Sequence, residues 1–147
     1  MRFAEFTVGQ VIETRSRPID EGEILDFARS YDPQWFHTDA QRAASGRWGG
    51  LIASGWHTCA VAMELAVESV LGDSESFGSP GIDELRWLLP VRPGDQLRLK
   101  LEVLAIRLSE SGGTGSLRWR WTLLNQSGSP VLDLLATSLF DLRRTRP

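Results

Sequence analysis

One segment near the middle of the chain constrains the fold more than any other, because it predicts a helix that is apolar on nearly every side. The segment begins near Ser54 and ends at Gly72. Apolar residues cover most of its circumference, at Ala60, Val61, Met63, Leu65, Ala66, Val67, Val70 and Leu71. Glu64 and Glu68, four residues apart, share one stripe of its surface. Such a helix is a buried helix, so other elements must wrap around it.

Four predicted strands follow this helix, at residues 82–89, 96–108, 117–124 and 131–142. The second of them alternates clearly between an apolar and a charged face, with Leu97, Leu99, Leu101 and Val103 on one side and Arg98, Lys100 and Glu102 on the other. Strands of this kind can form an antiparallel sheet that covers the helix with its apolar face and exposes its polar face.

The segments before the central helix predict smaller elements. Residues 10–17 alternate loosely as a strand, and residues 21–30 predict a short helix with a capping box that begins at Asp20. Either Thr38 or Asp39 is expected to cap a second short helix. This order of elements predicts an α+β fold in which an antiparallel β-sheet is wrapped around a long central helix.

Composition narrows the classes of function that remain open. We expect residues 1–147 to form one domain, and the net charge of −3 argues against nucleic-acid binding, which favours a basic face. The single cysteine, Cys59, excludes an intrachain disulfide and fits a reducing compartment. The N-terminus lacks the apolar run of a signal peptide, and the apolar stretch 53–71 is too charged for a membrane span. A cytoplasmic protein that binds neither membranes nor nucleic acids is therefore expected.

Both histidines lie in two short segments that carry the chemistry of a possible active site. Segment 31–39 places Asp32 and His37 five residues apart across a proline, and an aspartate and a histidine can share acid and base duty. Segment 49–58 places Gly55 at the start of the central helix, where unpaired backbone N–H groups can stabilise an anion. Glycine there also lets a ligand approach the backbone closely.

Structural roles are the alternatives for each of these residues. Asp32 before a proline can be a simple turn former, His37 a buried structural histidine, and Gly55 an ordinary residue at a helix start. For His57 we favour a structural or orienting role over substrate contact. The spacing of His37, Asp39 and His57 matches no metal-ligand motif, so no metal site is predicted.

The same segments resemble those of the MaoC-like dehydratases, a hot-dog-fold family that includes (R)-specific enoyl-CoA hydratases. The hydratase motif of that family runs Asp, any residue, Asn, Pro, an apolar residue and His. The matching run here, residues 32–37, keeps the Asp-to-His spacing but has Gln34 at the Asn position and Trp35 at the Pro position. Segments 52–58 and 81–87, with the turn 91–95, extend the resemblance over nearly the whole chain.

The resemblance implies a role for each site residue. Asp32 and His37 are the catalytic pair, and the Gly55 N–H polarises the carbonyl of an enoyl thioester. The residues expected to contact the substrate are Trp35, Phe36, Ser54, Trp56 and His57. Many hydratases carry a supporting serine inside the central helix, where this chain has Cys59-Ala60-Val61. Hydroxyl groups lie nearby in the sequence at Ser54 and Thr58, but neither residue is assigned to that role. Arginines that could meet coenzyme A phosphates are Arg86, Arg92 and Arg98.

The function expected from this resemblance is a hydratase, a carbon–oxygen lyase of fatty acid metabolism that interconverts a 2-enoyl-CoA and a 3-hydroxyacyl-CoA. It needs no cofactor beyond the coenzyme A of its substrate, and a homodimer or larger homo-oligomer is implied. Two alternatives stay open. One is a hot-dog acyl-CoA thioesterase with Glu64 or Glu68 as its acid, and the other is a non-catalytic acyl-CoA-binding protein.

Overall fold

A computed structural model describes residues 1–143 of the protein. Its helices are α1 (Glu21–Tyr31), α2 (Trp35–Thr38), α3 (Ala40–Ala44) and α4 (Gly55–Ala66), which continues as a π-helical turn over Val67–Leu71. Its strands are β1 (Val11–Glu13), β2 (Arg17–Pro18), β3 (Ser76–Trp87), β4 (Gln96–Leu108), β5 (Thr114–Leu124) and β6 (Pro130–Asp141). The strands form an antiparallel sheet in the order β1-β4-β5-β6-β3, with β2 paired to β4. The predicted α+β hot-dog architecture is confirmed.

Local capping signals explain where the short helices begin. Asp20 accepts a hydrogen bond from the backbone N–H of Glu23 at 2.9 Å, so the predicted capping box of α1 is confirmed. Asp39 accepts from Arg42 N–H at 2.9 Å and is the N-cap of α3, which decides between the two predicted caps. Helix α2, a single turn between α1 and α3, was not predicted as a separate element.

The core lies between α4 and the inner face of the sheet. The alternation predicted for β4 is confirmed, since its four apolar residues from Leu97 to Val103 are buried. On the facing side of α4, Val61, Ala62 and Leu65 are buried. Because each buried methylene contributes about 0.8 kcal/mol, this layered contact stabilises the fold.

The predicted wrapping of α4 by the sheet is confirmed, and in the single chain it covers one side of the helix. One stripe of the helix stays open to solvent, with Trp56 59%, Met63 48% and Val67 43% exposed. The edge strand β3 likewise exposes Phe77 and Ile82. The sheet therefore covers one side of the helix and leaves an apolar surface on the other side.

Two strand predictions differ from the structure. The segment 10–17 forms two short strands, and β3 begins at Ser76 rather than at residue 82. Pro80 was expected to precede β3 but lies inside it, which an edge strand tolerates because its unpaired side needs no N–H donor. Glu84 has a φ of +53°, and the pairing register with β6 shifts between Asp83 and Arg86. This bulge lies just before Trp87, a residue that lines a cavity beside α4.

Candidate active site

A cavity of about 360 Å³ lies beside the N-terminus of α4. Three segments contribute to its wall: residues 32–37 after α1, residues 52–58 at the start of α4, and residues 87–91 at the end of β3. Most of the lining side chains are apolar, and Asp32 is the carboxylate among them. A mostly apolar cleft with a few convergent polar groups is the usual form of a small-molecule site.

Asp32 and His37 meet at one end of this cavity. Helix α1 ends at Tyr31, and Asp32 then leads through a proline into the one-turn helix that carries His37. The Asp32 Oδ2 atom lies 3.3 Å from His37 Nε2. The other ring nitrogen of His37, Nδ1, is 2.7 Å from the carbonyl oxygen of Ile52. Because a carbonyl oxygen only accepts, Nδ1 carries the proton and Nε2 is left to exchange one beside the carboxylate.

Two further donors hold the Asp32 carboxylate. Gln34 Nε2 donates to Oδ1 at 2.8 Å, and Ser54 Oγ donates to Oδ2 at 2.8 Å. Burial raises the pKa of Asp32, but the hydrogen bonds from Gln34 and Ser54, together with the charge of His37, outweigh it and lower the pKa below its ordinary value. The carboxylate is therefore ionised at neutral pH and able to accept a proton.

The N-terminus of α4 borders the same cavity. The first helical hydrogen bond runs from Thr58 N–H to the Ser54 carbonyl at 3.1 Å, so the N–H groups of Gly55, Trp56 and His57 have no partner within the helix. Ser54 is the N-cap residue, but its side chain makes no capping bond. These donors, with the helix dipole behind them, suit an oxygen atom on which negative charge develops.

Trp87 covers the first residue of α4, a contact that no sequence pattern predicts. Its indole N–H donates to the Gly55 carbonyl at 2.8 Å. A Cβ atom on Gly55 would lie 2.5 Å from the Trp87 ring, so only glycine fits there. Trp56 meets the same indole edge to face, with ring centroids 5.4 Å apart. Because Gly55 and Trp87 are 32 residues apart, no local pattern could have revealed the contact.

The structure brings some of the expected site residues together and separates others. Asp32, His37, Gly55 and Trp56 all line the cavity, whereas Ser54 lies buried behind it against Asp32.

The other residues expected to contact substrate do not line the cavity. Trp35 packs under Arg42, whose guanidinium carbon lies 4.5 Å from the ring centre, and also packs against Gly46. Phe36 contacts the ring of His37 edge to face, at 4.3 Å between centroids.

His57 faces helix α1. Its ring stacks on Phe27 with centroids 4.6 Å apart and planes 8° from parallel. Nδ1 of His57 is buried and, among residues 1–143, has no hydrogen-bond partner. Burial lowers the pKa of His57 below its ordinary value, against the opposing effect of Glu23. His57 is thus a neutral packing residue at neutral pH, which agrees with the structural role favoured from the sequence.

The two acids of α4 are engaged elsewhere. Glu64 accepts a hydrogen bond from Arg17 Nε at 3.0 Å, and Glu68 is paired with Arg15 at 2.9 Å. Neither lines the cavity. Arg92, one of the three arginines considered for coenzyme A, donates to the carbonyl of the cavity-lining Trp48 at 2.7 Å.

Two negative findings apply to residues 1–143. No cluster of three or more histidine, cysteine or carboxylate side chains is placed to hold a metal ion there. Over the same residues, no helix combines the length and apolarity needed to cross a bilayer.

Comparison with known proteins identifies a family. The model of the MaoC like domain matches residues 3–117, more than half of the chain. An uncharacterized protein of Bacillus subtilis, YdeM, is 36% identical over 104 residues, which cover 71% of this chain and 74% of that protein.

Solved structures agree with this match. A MaoC-like dehydratase from Rhodospirillum rubrum is 35% identical and superposes with a TM-score of 0.86, covering 98% of this chain and 97% of that one. An R-hydratase from Pseudomonas aeruginosa is 29% identical, with a TM-score of 0.72 over 99% of this chain and 93% of that one. Similarity extends over nearly the whole length of both solved proteins.

Proposed function

We propose that this protein, which belongs to the MaoC-like domain family, is a hydratase that adds water to the double bond of a 2-enoyl-CoA and removes it from the corresponding 3-hydroxyacyl-CoA. The observation that carries the proposal is the Asp32–His37 pair, held at 3.3 Å in an apolar cavity beside the free N–H groups of α4. An R-hydratase of the same fold, 29% identical, supports the reaction class.

Each part of the site supplies one requirement of the reaction. A water molecule between Asp32 and His37 gives a proton to one member of the pair while its oxygen bonds to C3 of the enoyl group. The electrons of the double bond move toward the thioester carbonyl, whose oxygen accepts a hydrogen bond from the Gly55 N–H.

The second proton transfer completes the addition. Asp32 is ionised and Nε2 unprotonated at the start, so the proton that the pair gives to C2 is the one that it took from water, and both groups return to their starting state. On the way to C2 this proton can pass between Oδ2 and Nε2. The short distance between these two atoms makes that transfer direct. Acid–base catalysis and oxyanion stabilisation each contribute about 10²-fold or more in rate.

The open apolar surface supports a homodimer. Helix α4 exposes an apolar stripe and edge strand β3 exposes Phe77 and Ile82, and within residues 1–143 β3 pairs with β6 alone. A two-fold pairing of β3 with its copy would continue the sheet and bury this surface. We expect Ile82→Arg to shift the protein from dimer to monomer in sedimentation velocity. A wild-type monomer at micromolar concentration would contradict the dimer.

The thioesterase alternative lacks support at the expected acids. Glu64 and Glu68 pair with arginines and do not line the cavity, so neither is placed to activate water there. The other alternative is a protein that binds acyl-CoA without converting it. Measurable turnover would exclude this alternative, and binding without turnover would support it. Three further expectations stay predictions. They are the contact between Arg92 and the phosphates of coenzyme A, the place of the reaction in fatty acid metabolism, and the cytoplasmic location of the protein.

The experiment is a spectroscopic assay with a panel of 2-enoyl-CoAs that differ in chain length. We expect the absorbance of the conjugated double bond to fall without release of free thiol, and Asp32→Asn to abolish the change while remaining folded. Asp26→Asn, the same chemical change at an exposed position of α1, is the control and should be fully active. Thiol release would indicate a thioesterase, and saturable binding without turnover would indicate a binding protein.

A further inference from the structure

Ser54 joins the two halves of the proposed site. It is fully buried, it immediately precedes Gly55, and it occupies the N-cap position of α4. Its hydroxyl therefore lies between the helix terminus on one side and the end of α1 on the other, where Asp32 is found.

The hydroxyl of Ser54 fixes one particular oxygen of Asp32. It donates to Oδ2, the same atom that lies 3.3 Å from His37 Nε2. Gln34 holds the other oxygen, so the carboxylate is fixed at both ends. Hydrogen bonds to an ionised acceptor are roughly twice as strong as those between neutral groups, and burial strengthens them further. Ser54 thereby aims Oδ2 toward the histidine.

The same hydroxyl leaves the helix terminus uncapped. Serine at an N-cap normally accepts a hydrogen bond from an N–H of the first helical turn. Asp20 and Asp39, the N-caps of α1 and α3, each do so at 2.9 Å, whereas the side chain of Ser54 makes no such bond. The N-termini of α1 and α3 are thus capped by a side chain, and the N-terminus of α4 is not.

We propose that Ser54 is a positioning residue with two effects: its hydroxyl holds the Asp32 oxygen that faces His37, and by turning away from the helix it leaves the first-turn N–H groups free for the thioester oxygen. The inference rests on the proposed hydratase function. It also replaces the expected direct contact of Ser54 with substrate by an action through Asp32.

The kinetic test compares Ser54→Ala with Ser138→Ala, which removes another buried hydroxyl, one that accepts from Trp119 in the core. Misplacement of a catalytic group by about 1 Å can cost about 10²-fold, so we expect Ser54→Ala to lower kcat by about 10- to 100-fold with little change in KM. The control should keep the wild-type values. A raised KM with an unchanged kcat would instead assign Ser54 to substrate contact and overturn the inference.

The pH profile provides a signature that a merely structural role would not produce. The Ser54 hydrogen bond lowers the pKa of Asp32, so its loss must raise that pKa and move the acidic limb of kcat/KM to higher pH. Ser54→Thr, which keeps a hydroxyl, should restore the position of the limb. An unmoved limb in Ser54→Ala, in a folded protein, would overturn the inference.

A readout independent of turnover separates this inference from the proposed function. In the ligand-free protein, a carbon-13 NMR titration of the Asp32 carboxyl should give a higher pKa in Ser54→Ala than in wild type or Ser138→Ala. If wild type hydrates no 2-enoyl-CoA, the proposed function fails whatever the titration shows. If wild type is active but Asp32 titrates identically in all three proteins, only the role of Ser54 fails.

Discussion

The two histidines of this protein are equally buried, each 5% exposed, yet they lie in regions of opposite character. His37 has both ring nitrogens near fixed partners, the Ile52 carbonyl and the Asp32 carboxylate, and it borders the cavity. His57 stacks on an apolar ring and has an unpartnered Nδ1 within the described part of the chain. Burial therefore does not distinguish the two histidine environments, of which only that of His37 is proposed to take part in the reaction. A fixed tautomer beside an ionised carboxylate, with access to a ligand cavity, does distinguish them.

The most direct way to break this comparison is to make the same change at both positions. His37→Gln removes a proton-transfer group, so we expect kcat/KM to fall by about 10³-fold, within the range for general acid–base catalysis. His57→Gln should stay within about threefold of wild type, because the ring lies away from the cavity. The check is the steady-state rate of enoyl-CoA hydration. Equal losses at the two positions would contradict the division of roles.

A second change tests whether chemistry occurs at the first residue of α4, two positions before His57. Gly55→Ala places a methyl group 2.5 Å from the Trp87 ring, which must shift and lose its bond to the Gly55 carbonyl. We expect a loss of about 1–3 kcal/mol in the free energy of unfolding, together with at least a tenfold fall in kcat.

The matched control for this change is Gly78→Ala on β3, where a Cβ meets no atom within 4 Å. It should keep wild-type stability in urea denaturation and wild-type kcat. If Gly55→Ala were also fully stable and active, the close contact between Gly55 and Trp87 would be wrong.

The two regions should also titrate in different pH windows. The pKa of His57 is lowered in the folded state, so its contribution to stability is present above its unfolded value of about 6.5 and is lost as the pH falls through the lower folded value. The pKa of Asp32 is also lowered in the folded state. Its contribution to stability is therefore present above its unfolded value of about 3.9 and is lost as the pH falls through the lower folded value.

Urea denaturation at pH 7 and pH 5 separates these contributions. We expect His57→Phe to reduce the loss of unfolding free energy between the two pH values, and Asp32→Asn to leave that loss unchanged. If Asp32→Asn reduced the loss of unfolding free energy and His57→Phe left it unchanged, the pKa shifts assigned to the two residues would be wrong.

The smallest effect is expected on the outer stripe of α4. Glu68→Gln breaks a solvent-exposed ion pair with Arg15, and such pairs contribute little because water and salt screen them. Hydration rates should stay within about twofold of wild type, with no free thiol from either protein. A large loss of turnover in Glu68→Gln would revive the thioesterase interpretation.

Sequence patterns predicted the features that depend on near neighbours along the chain. The capping box at Asp20, the cap at Asp39 and the alternation of β4 all involve residues within a few positions of one another. The Asp32–His37 pairing belongs to the same class, because a proline turn and one helical turn suffice to bring the two side chains together.

Contacts between distant elements could not be predicted in the same way. Ser54 reaches Asp32 across 22 residues, and Trp87 reaches Gly55 across 32, so both depend on how α1 and β3 pack against α4. The side of α4 on which His57 lies depends on the rotation of the whole helix. An almost uniformly apolar helix carries little information about that rotation, which is why the cavity-lining residues were only partly predicted.

The measurement that tests the central claim most directly is mass spectrometry of the product formed from a 2-enoyl-CoA in water enriched in oxygen-18. The account predicts one labelled oxygen on C3 of an intact 3-hydroxyacyl-CoA, formed by wild type and by the His57→Gln variant but not by Asp32→Asn or His37→Gln. Label in the carboxylate of a released free acid, or unchanged substrate with wild-type protein across the chain-length panel, would contradict it.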